Sequence, residues 1–445
     1  MAAGAGVFGV NTMKKIKIFP SKLQGMVQAP SSKSMGHREI ICAGLANGTS
    51  IIDNISMSKD IEATMRCLRA INVTVDEIPG MIEGRKALQI SGSGHPMAAA
   101  DSVDCGESGS TLRFFLPLGA NLNCPLTFIG HGKLVSRPLQ AYYDIFDEQF
   151  VQYFNAAGNL PVTVNGKLHS GTFKLPGDVS SQFVSGLLFV LPLLNGDSVI
   201  EITSPLESSA YVDMTISCLA KFGVHVENES GNHRRYLVPG RQHYQALDSR
   251  VEGDWSQAAF WTVAGSLGER VTCAGVDFNS LQGDKAVLEI MRRMGAVIEK
   301  NKDSVTVSGG VTKAAVIDAA NCPDIIPVLT VLAAVSEGTT KIINAGRLRI
   351  KECDRLAAMT SELHKMGADV TEEPEGLTVV GKPQGLAGGV EVDAWNDHRI
   401  AMSLAIAAQK CAQPIILTGA DSVAKSYPEF WQDYQSLGGR VEEEL

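Results

Sequence analysis

One phrase recurs along this 445-residue chain: an apolar helical stretch, a glycine, then a β-rich segment. It reads Leu219-Ala-Lys-Phe-Gly223-Val-His-Val, Met291-Arg-Arg-Met-Gly295-Ala-Val-Ile, Leu363-His-Lys-Met-Gly367-Ala-Asp-Val and Tyr434-Gln-Ser-Leu-Gly438-Gly-Arg-Val. From Gly223 to Gly295, Gly367 and Gly438 the steps are 72, 72 and 71 residues. Weaker copies are Leu68-Arg-Ala-Ile-Asn72-Val-Thr-Val and Phe154-Asn-Ala-Ala-Gly158. Gly or Asn at this point caps a helix in the left-handed region. Ahead of each cap runs a polar motif, an apolar helix, a short turn and a strand. The chain is therefore expected to hold six units of helix, strand, helix, strand and strand, each roughly 70 residues long.

Six such units exceed one ordinary core, so two domains of three units are expected. Their edge is placed in the loop 239–249, giving domains 30–240 and 241–445. The segment 13–29 is expected to add a strand to the second domain, so that the chain crosses twice. Residues 1–12 are small, uncharged and rich in Gly and Ala, and read as a disordered or added leader with the native start near Met13. Hydrophobic residues make up 44% of the chain and charged ones 20%, which fits a water-soluble protein with sizeable cores. No apolar run is long enough to cross a membrane. The net charge of −9, without a basic block, argues against a nucleic-acid partner. Nine cysteines, an odd number without Cys-x-x-Cys or Cys/His ligand spacing, read as reduced cytoplasmic thiols and not as a zinc site or disulfide framework.

The polar motifs carry the chemistry. Ser31-Ser-Lys33-Ser34-Met-Gly-His-Arg38 combines hydroxyls, a helix start and two cations. That describes either a phosphate site or a capped helix with a solvated first turn. Glu107-Ser-Gly109-Ser-Thr-Leu-Arg113 opens unit 2, and its glycine allows close approach to the backbone. Arg137 precedes Pro138 and must be extended or in a turn, as a clamp or as a surface residue. Ser180-Ser181-Gln182 opens unit 3 and suits recognition of phosphate and hydroxyls, or capping alone. Ser208 heads a further polar entry. Asp324, beside Pro323, is an N-cap or a general base. In Arg347–Arg355, Lys351 and Arg355 are expected on one helix face with Glu352 beside them. Asn396-Asp-His-Arg399 opens unit 6, and Lys425 follows. These charges recur at one phase of a repeated unit, which points to a composite anion-binding cleft built from positive helix ends.

The motifs Pro30-Ser-Ser-Lys-Ser…Arg38, Gly109…Arg113, Ser136-Arg-Pro138, Val179-Ser-Ser-Gln182, Pro323-Asp324, Lys351-Glu-Cys-Asp-Arg355, Asn396-Asp-His-Arg399 and Lys425-Ser-Tyr-Pro428 resemble the 5-enolpyruvylshikimate-3-phosphate synthase family of enolpyruvyl transferases, from about Met13 onward. The resemblance implies an α/β (α+β type) fold: two globular domains of three βαβαββ-like units each, an inside-out barrel arrangement with the active site in the interdomain cleft. It implies transfer of the enolpyruvyl group of phosphoenolpyruvate to the 5-hydroxyl of shikimate 3-phosphate, in aromatic amino acid biosynthesis, by a cytoplasmic monomer without metal or other cofactor. Positions matching Lys33, Ser34, Arg38, Ser180, Ser181, Gln182, Ser208, Asp324 and Lys351 would hold shikimate 3-phosphate. Those matching Lys33, Gly109, Arg137, Gln182, Arg355, Arg399 and Lys425 would surround phosphoenolpyruvate. Asp324 would accept the 5-hydroxyl proton and Glu352 would protonate the methylene carbon and later remove a proton, with Lys33 and Lys425 as alternatives to Glu352 for either transfer. Glu107, Ser110, Phe114, Arg347 and Cys353 depart from common family residues. The sister family acting on UDP-N-acetylglucosamine usually carries Lys-Asn near its start and a Cys before Arg-Pro. Here Lys33-Ser34 and a Cys-free 130–136 stand instead. A scaffold without activity would not need both Asp324 and Glu352.

Overall fold

The computed structural model describes residues 15–82, 84–122 and 124–444; the expected leader and the start at Met13 lie outside them. The chain divides into two compact bodies. An inserted domain holds Ser31–Asp254 with Asn279–Gly283, and a terminal domain holds Trp255–Phe278 and the described residues before Ser31 and from Asp284 onward. The division falls at Asp254, past the expected edge at 240. Residues 241–254 stay with the inserted domain because they bind its first repeat. Asn47 N donates to Tyr244 O, Ile51 N donates to the Asp248 carboxylate at 2.7 Å, and Ser249–Arg250 pairs in parallel with Asn47–Ile55.

Each repeat builds one four-stranded sheet, and all six sheets have one strand order. The first strand pairs in parallel with the second, the second antiparallel with the fourth, and the fourth antiparallel with the third. Thr172–Leu175, Ser198–Ile202, Glu227–Asn228 and Arg235–Val238 illustrate this. Three sheets are completed from far away in sequence. Repeat 1 takes its first strand from Ser249–Arg250, repeat 4 from Gly25–Gln28, and repeat 6 takes its last strand from Lys15–Phe19. With these included every repeat is a βαβαββ unit, and the expected two-domain α/β fold is borne out.

The first helix of each repeat lies at a domain centre. These are Lys33–Leu45, Gly109–Gly119 and Ser181–Val190 in the inserted domain, and Trp255–Leu267, Ile326–Ala334 and His398–Ala407 in the terminal domain. Ile326–Ala334, Ile-Pro-Val-Leu-Thr-Val-Leu-Ala-Ala, is buried along its whole length, because a helix apolar all round has no face to give to water. Second helices are one-sided: Lys59–Ala70 buries Ile61, Met65 and Leu68 and exposes Lys59, Glu62 and Arg69. Each domain has its own core. Each buried side chain of the size of Leu or Phe contributes roughly 1.5–3 kcal/mol. Trp261 in the terminal core stacks on Phe430 at 5.2 Å and donates its indole N–H to Tyr427 Oη at 3.1 Å.

The repeated cap is one hydrogen-bond pattern in all six repeats. Asn72, Phe150, Gly223, Gly295, Gly367 and Gly438 all have φ between 57° and 95°. Each donates its N–H to the carbonyl three residues back, and the next residue donates to the carbonyl five back, as in Gly223 to Ala220 and Val224 to Leu219. This corrects the second copy. Gly158 lies in the hairpin between Gln152–Ala156 and Asn159–Asn165, and the cap of helix Gln140–Glu148 is formed by Phe150 and Val151. A search for Gly or Asn misses it, because a residue with a Cβ is disfavoured in the left-handed region.

Candidate active site

In the inserted domain, Ser32 caps helix Lys33–Leu45 by accepting from Met35 N at 3.3 Å. Lys33 Nζ lies 2.7 Å from Asp60 Oδ2. Arg38 sits one turn in and is only 2% exposed. Its Nη1 donates to Ser34 O at 2.6 Å, its Nε to Thr215 Oγ1 at 2.8 Å and its Nη2 to Tyr211 O at 2.8 Å. The guanidinium also lies 5.3 Å from the Phe114 ring centroid. All these partners are neutral. Burial lowers the Arg38 pKa to about 10, which leaves it charged at pH 7. Ser208 heads the helix Ser209–Lys221, which carries Tyr211 and Thr215, and is itself left-handed at φ 56° and ψ 41°.

Gly109 opens the second inner helix behind its cap, Ser108. A methyl group on Gly109 would lie 2.6 Å from Arg137 Nη1 and 3.4 Å from Arg113 Nη1. The missing side chain is what lets guanidinium groups lie against this helix entry. Arg137 is extended at φ −72° and ψ 135°, as the following proline requires. Ser180 caps the third inner helix by accepting from Gln182 N, and Ser181 is its first residue. Gln182 accepts from Arg113 Nη1 at 2.7 Å and donates to Ser110 Oγ at 2.9 Å. Thr111 Oγ1 reaches Asp60 O at 3.4 Å, beside the Lys33 ion pair. The structure thus brings the three helix entries together, with Lys33, Arg38, Arg113 and Arg137 around positive helix ends.

In the terminal domain, Asp324 is not at a cap position: Cys322 precedes the 3-10 turn Pro323–Ile325, and Ile325 precedes helix Ile326–Ala334. Its Oδ1 accepts from Arg355 Nη1 at 2.9 Å and lies 3.7 Å from Lys351 Nζ, and its Oδ2 accepts from Arg399 Nη2 at 3.1 Å. Arg399 Nη2 also donates to Ser256 Oγ at 3.1 Å, so again three inner-helix entries meet. Arg355 is 1% exposed and touches three carboxylates. Its Nε donates to Asp397 Oδ2 at 2.8 Å, its Nη2 to Glu352 Oε2 at 2.7 Å, and its Nη1 to Asp324. Burial alone would lower its pKa, but Asp397, Glu352 and Asp324 outweigh burial and hold it well above the ordinary value. Burial lowers Lys351 to about 8; Arg347 and Arg355 act in the same sense and Asp324 opposes them. Lys425 Nζ donates to Asn396 O at 2.7 Å, where Trp395 and Asn396 are both left-handed.

One expected geometry is corrected. Lys351 and Arg355 do not share a helix face. Gly346–Ile350 is a 3-10 turn, and helix Arg355–Lys365 begins behind Asp354, whose carboxylate accepts from Leu356 N and Ala357 N at 3.1 Å. Lys351 and Glu352 lie on the bend in front of that cap. Three members of these clusters had no role in the sequence reading: Asp60, Asp397 and Arg113. Asp397 was legible as a capping Asp directly before an apolar helix, and its side chain accepts from Arg399 N at 2.8 Å. Among the described residues, no group of three or more His, Cys, Asp or Glu side chains is arranged to hold a metal ion.

A family model described as EPSP synthase (3-phosphoshikimate 1-carboxyvinyltransferase) matches residues 19–434. A 3-phosphoshikimate 1-carboxyvinyltransferase of Clostridium kluyveri is 51% identical over 431 residues, covering 97% of this chain and 99% of the relative. That of Clostridium novyi is 49% identical over 434 residues, covering 97% and 99%. Among solved structures, EPSP synthase from Acinetobacter baumannii matches with a TM-score of 0.80 at 27% identity, covering 96% of this chain and 99% of that one. The enolpyruvyl transferase NikO from Streptomyces tendae matches with a TM-score of 0.76 at 17% identity, covering 97% and 99%, a likeness of fold. With its repeats, its two clusters of charged helix entries and these relatives, the chain belongs to the EPSP synthase family.

Proposed function

We infer that the chain is a 3-phosphoshikimate 1-carboxyvinyltransferase of the shikimate pathway, joining the enolpyruvyl group of phosphoenolpyruvate to the 5-oxygen of shikimate 3-phosphate and releasing phosphate. Its family and relatives support the activity; the assignment of roles to residues is our reading. The observation that carries it is the sharing of Arg355 by Asp324 and Glu352. Two carboxylates are held on one guanidinium, ready for acid–base work beside Lys351 and Arg399.

The chemistry needs an acid, a base and fixed cations. Protonation of the methylene carbon of phosphoenolpyruvate builds cationic character at C2. The 5-oxygen attacks C2 while its proton goes to a base, giving a tetrahedral ketal. Loss of the proton from the new methyl group and of phosphate then leaves the enol ether. Asp324 is the base for the 5-hydroxyl, and Glu352 gives and later removes the carbon-bound proton, with Lys33 and Lys425 as further proton carriers. Lys33, Ser34, Arg38, Ser180, Ser181, Gln182, Ser208 and Lys351 hold shikimate 3-phosphate. Gly109, Arg137, Arg355, Arg399 and Lys425, again with Lys33 and Gln182, surround phosphoenolpyruvate. Fixed donors and cations of this kind stabilise charge developing on the leaving phosphate. We also propose a cytoplasmic monomer, and free cysteines throughout the described residues fit a reducing compartment.

The purified protein with shikimate 3-phosphate and phosphoenolpyruvate should release one phosphate per enol ether formed. Absence of release, with release on UDP-N-acetylglucosamine in its place, would assign the chain to the sister reaction.

A further inference from the structure

Arg113 lies one turn inside the second inner helix and was given no role above. It is 3% exposed, and its guanidinium lies 5.0 Å from the Phe183 ring centroid. Its Nη1 donates to Gln182 Oε1 at 2.7 Å and its Nη2 to Pro138 O at 3.3 Å. The backbone beneath it is equally fixed. Tyr142 Oη donates to Arg113 O at 2.7 Å, and a methyl group on Gly186 would meet that same carbonyl at 2.3 Å. Gly186 therefore lets helices Gly109–Gly119 and Ser181–Val190 touch where Arg113 must reach Gln182.

A carboxamide has two unlike ends, and a guanidinium has only donors. The atom of Gln182 that faces Arg113 must be the oxygen. The nitrogen then points the other way, where Nε2 donates to Ser110 Oγ at 2.9 Å with one N–H and keeps a second. A flipped amide would set NH2 against the guanidinium and forfeit a charge-assisted bond, which is about twice as strong as a neutral one.

We propose that Arg113 is a positioning residue that locks the Gln182 carboxamide so that it offers an N–H donor, never an acceptor, to the substrates. This deepens the proposed function and rests on Gln182 lying at the substrates. A donor is what phosphate, carboxylate and hydroxyl oxygens of both substrates can accept. Through Pro138, the same guanidinium also restrains the turn that carries Arg137.

The test is a cycle of Arg113→Met, Gln182→Ala and the double variant, with Arg113→Lys as the conservative partner. Arg113→Met should lower kcat/KM roughly ten- to a hundredfold, the worth of a hydrogen bond to a charged group. The double variant should be little worse than Gln182→Ala, and Arg113→Lys should recover part of the loss. Losses that multiply in the double variant, or a fall in melting temperature with unchanged kinetics, would overturn the proposal. A second readout needs no turnover. The Gln182 side-chain NH2 resonances, identified by their absence in Gln182→Ala, should move and exchange faster in Arg113→Met. Unchanged resonances would overturn the lock even if the wild type proved inactive, whereas an inactive wild type with shifted resonances would sink only the proposed reaction.

Discussion

Arg38 and Arg355 are both buried guanidinium groups near inner-helix entries, one in each domain, yet they are held in opposite ways. Arg355 sits on Asp397, Asp324 and Glu352. Arg38 sits on two carbonyls, one hydroxyl and an aromatic face. Their pKa values follow: three carboxylates outweigh burial and hold Arg355 well above the ordinary value, whereas burial lowers Arg38 to about 10. The terminal-domain cluster is thus largely neutralised from within, and in the proposed reaction its Asp324 and Glu352 carboxylates serve as base and acid. Among the described residues no carboxylate pairs with Arg38, so the inserted-domain cluster keeps positive charge there, which suits the phosphate-holding role proposed for it. On the proposed function, Asp324 and Glu352 of the terminal cluster move protons, and Arg38 of the inserted cluster captures phosphate.

The largest effect that would sharpen this contrast is on turnover. Asp324→Ala should lower kcat by about 10²–10⁴-fold, the usual worth of a positioned general base. Arg355 and Arg399 keep Asp397, Glu352 and Ser256 as partners in that variant. The melting temperature should therefore fall less than in the next variant. Turnover within tenfold of wild type would remove Asp324 from the chemistry.

Asp397→Ala should destabilise most. The carboxylate is fully buried, caps helix His398–Ala407, and holds Arg355 at 2.8 Å. Its loss takes from the buried guanidinium the one fully buried carboxylate of its three partners and from the helix its cap, at about 3–5 kcal/mol. Urea unfolding of the terminal domain would measure it. A loss no greater than that of Asp324→Ala would mean that the other two carboxylates suffice, and that the neutralised cluster is held less by Asp397 than its burial implies.

Much of this was legible in the sequence. A Gly or Asn closing successive units, 71 or 72 residues apart in the last four, marks a left-handed cap because few other residues accept that conformation, and serines or aspartates before apolar helices mark the entries where the charged clusters form. What was hidden is long-range or breaks the local rule. Phe150 occupies the cap position against its own preference. The strands Lys15–Phe19, Gly25–Gln28 and Ser249–Arg250 each complete a sheet made by distant residues. Their short apolar patterns do not say which sheet. The charge run 347–355 looked helical by its i, i+4 spacing, but the cap at Asp354 decides where the helix begins. Pairings such as Arg113 with Gln182, 69 residues apart, leave no local trace.

Arg38→Ala probes the capture side. It should raise KM for shikimate 3-phosphate ten- to a hundredfold, as expected for a hydrogen bond to a charged group. Removing an unbalanced buried charge should leave the melting temperature without substrate nearly unchanged or slightly higher. Shikimate 3-phosphate should raise the melting temperature of the wild type much more than that of the variant. A large drop in the substrate-free melting temperature with unchanged KM would make Arg38 a structural cation and erase the contrast with Arg355.

The smallest effect is a pH dependence that separates the two clusters by titration. Lys351 lies 3.7 Å from Asp324, and burial lowers it from 10.5 to about 8. Between those two values the folded protein binds fewer protons than the unfolded chain, so this group's contribution to stability rises with pH through that window. If Lys351 holds the substrate as proposed, capture runs the other way, because its ammonium is lost as pH passes 8. The ratio kcat/KM, which reports groups of the free enzyme, should fall roughly tenfold between pH 8 and 9.5 while Arg38, at about 10, is still largely charged. Lys351→Arg should remove that limb and leave the acidic side of the profile in place. A wild-type profile flat to pH 9.5 would mean that Lys351 stays protonated beside Asp324, and that the terminal cluster neutralises its own lysine as fully as it neutralises Arg355.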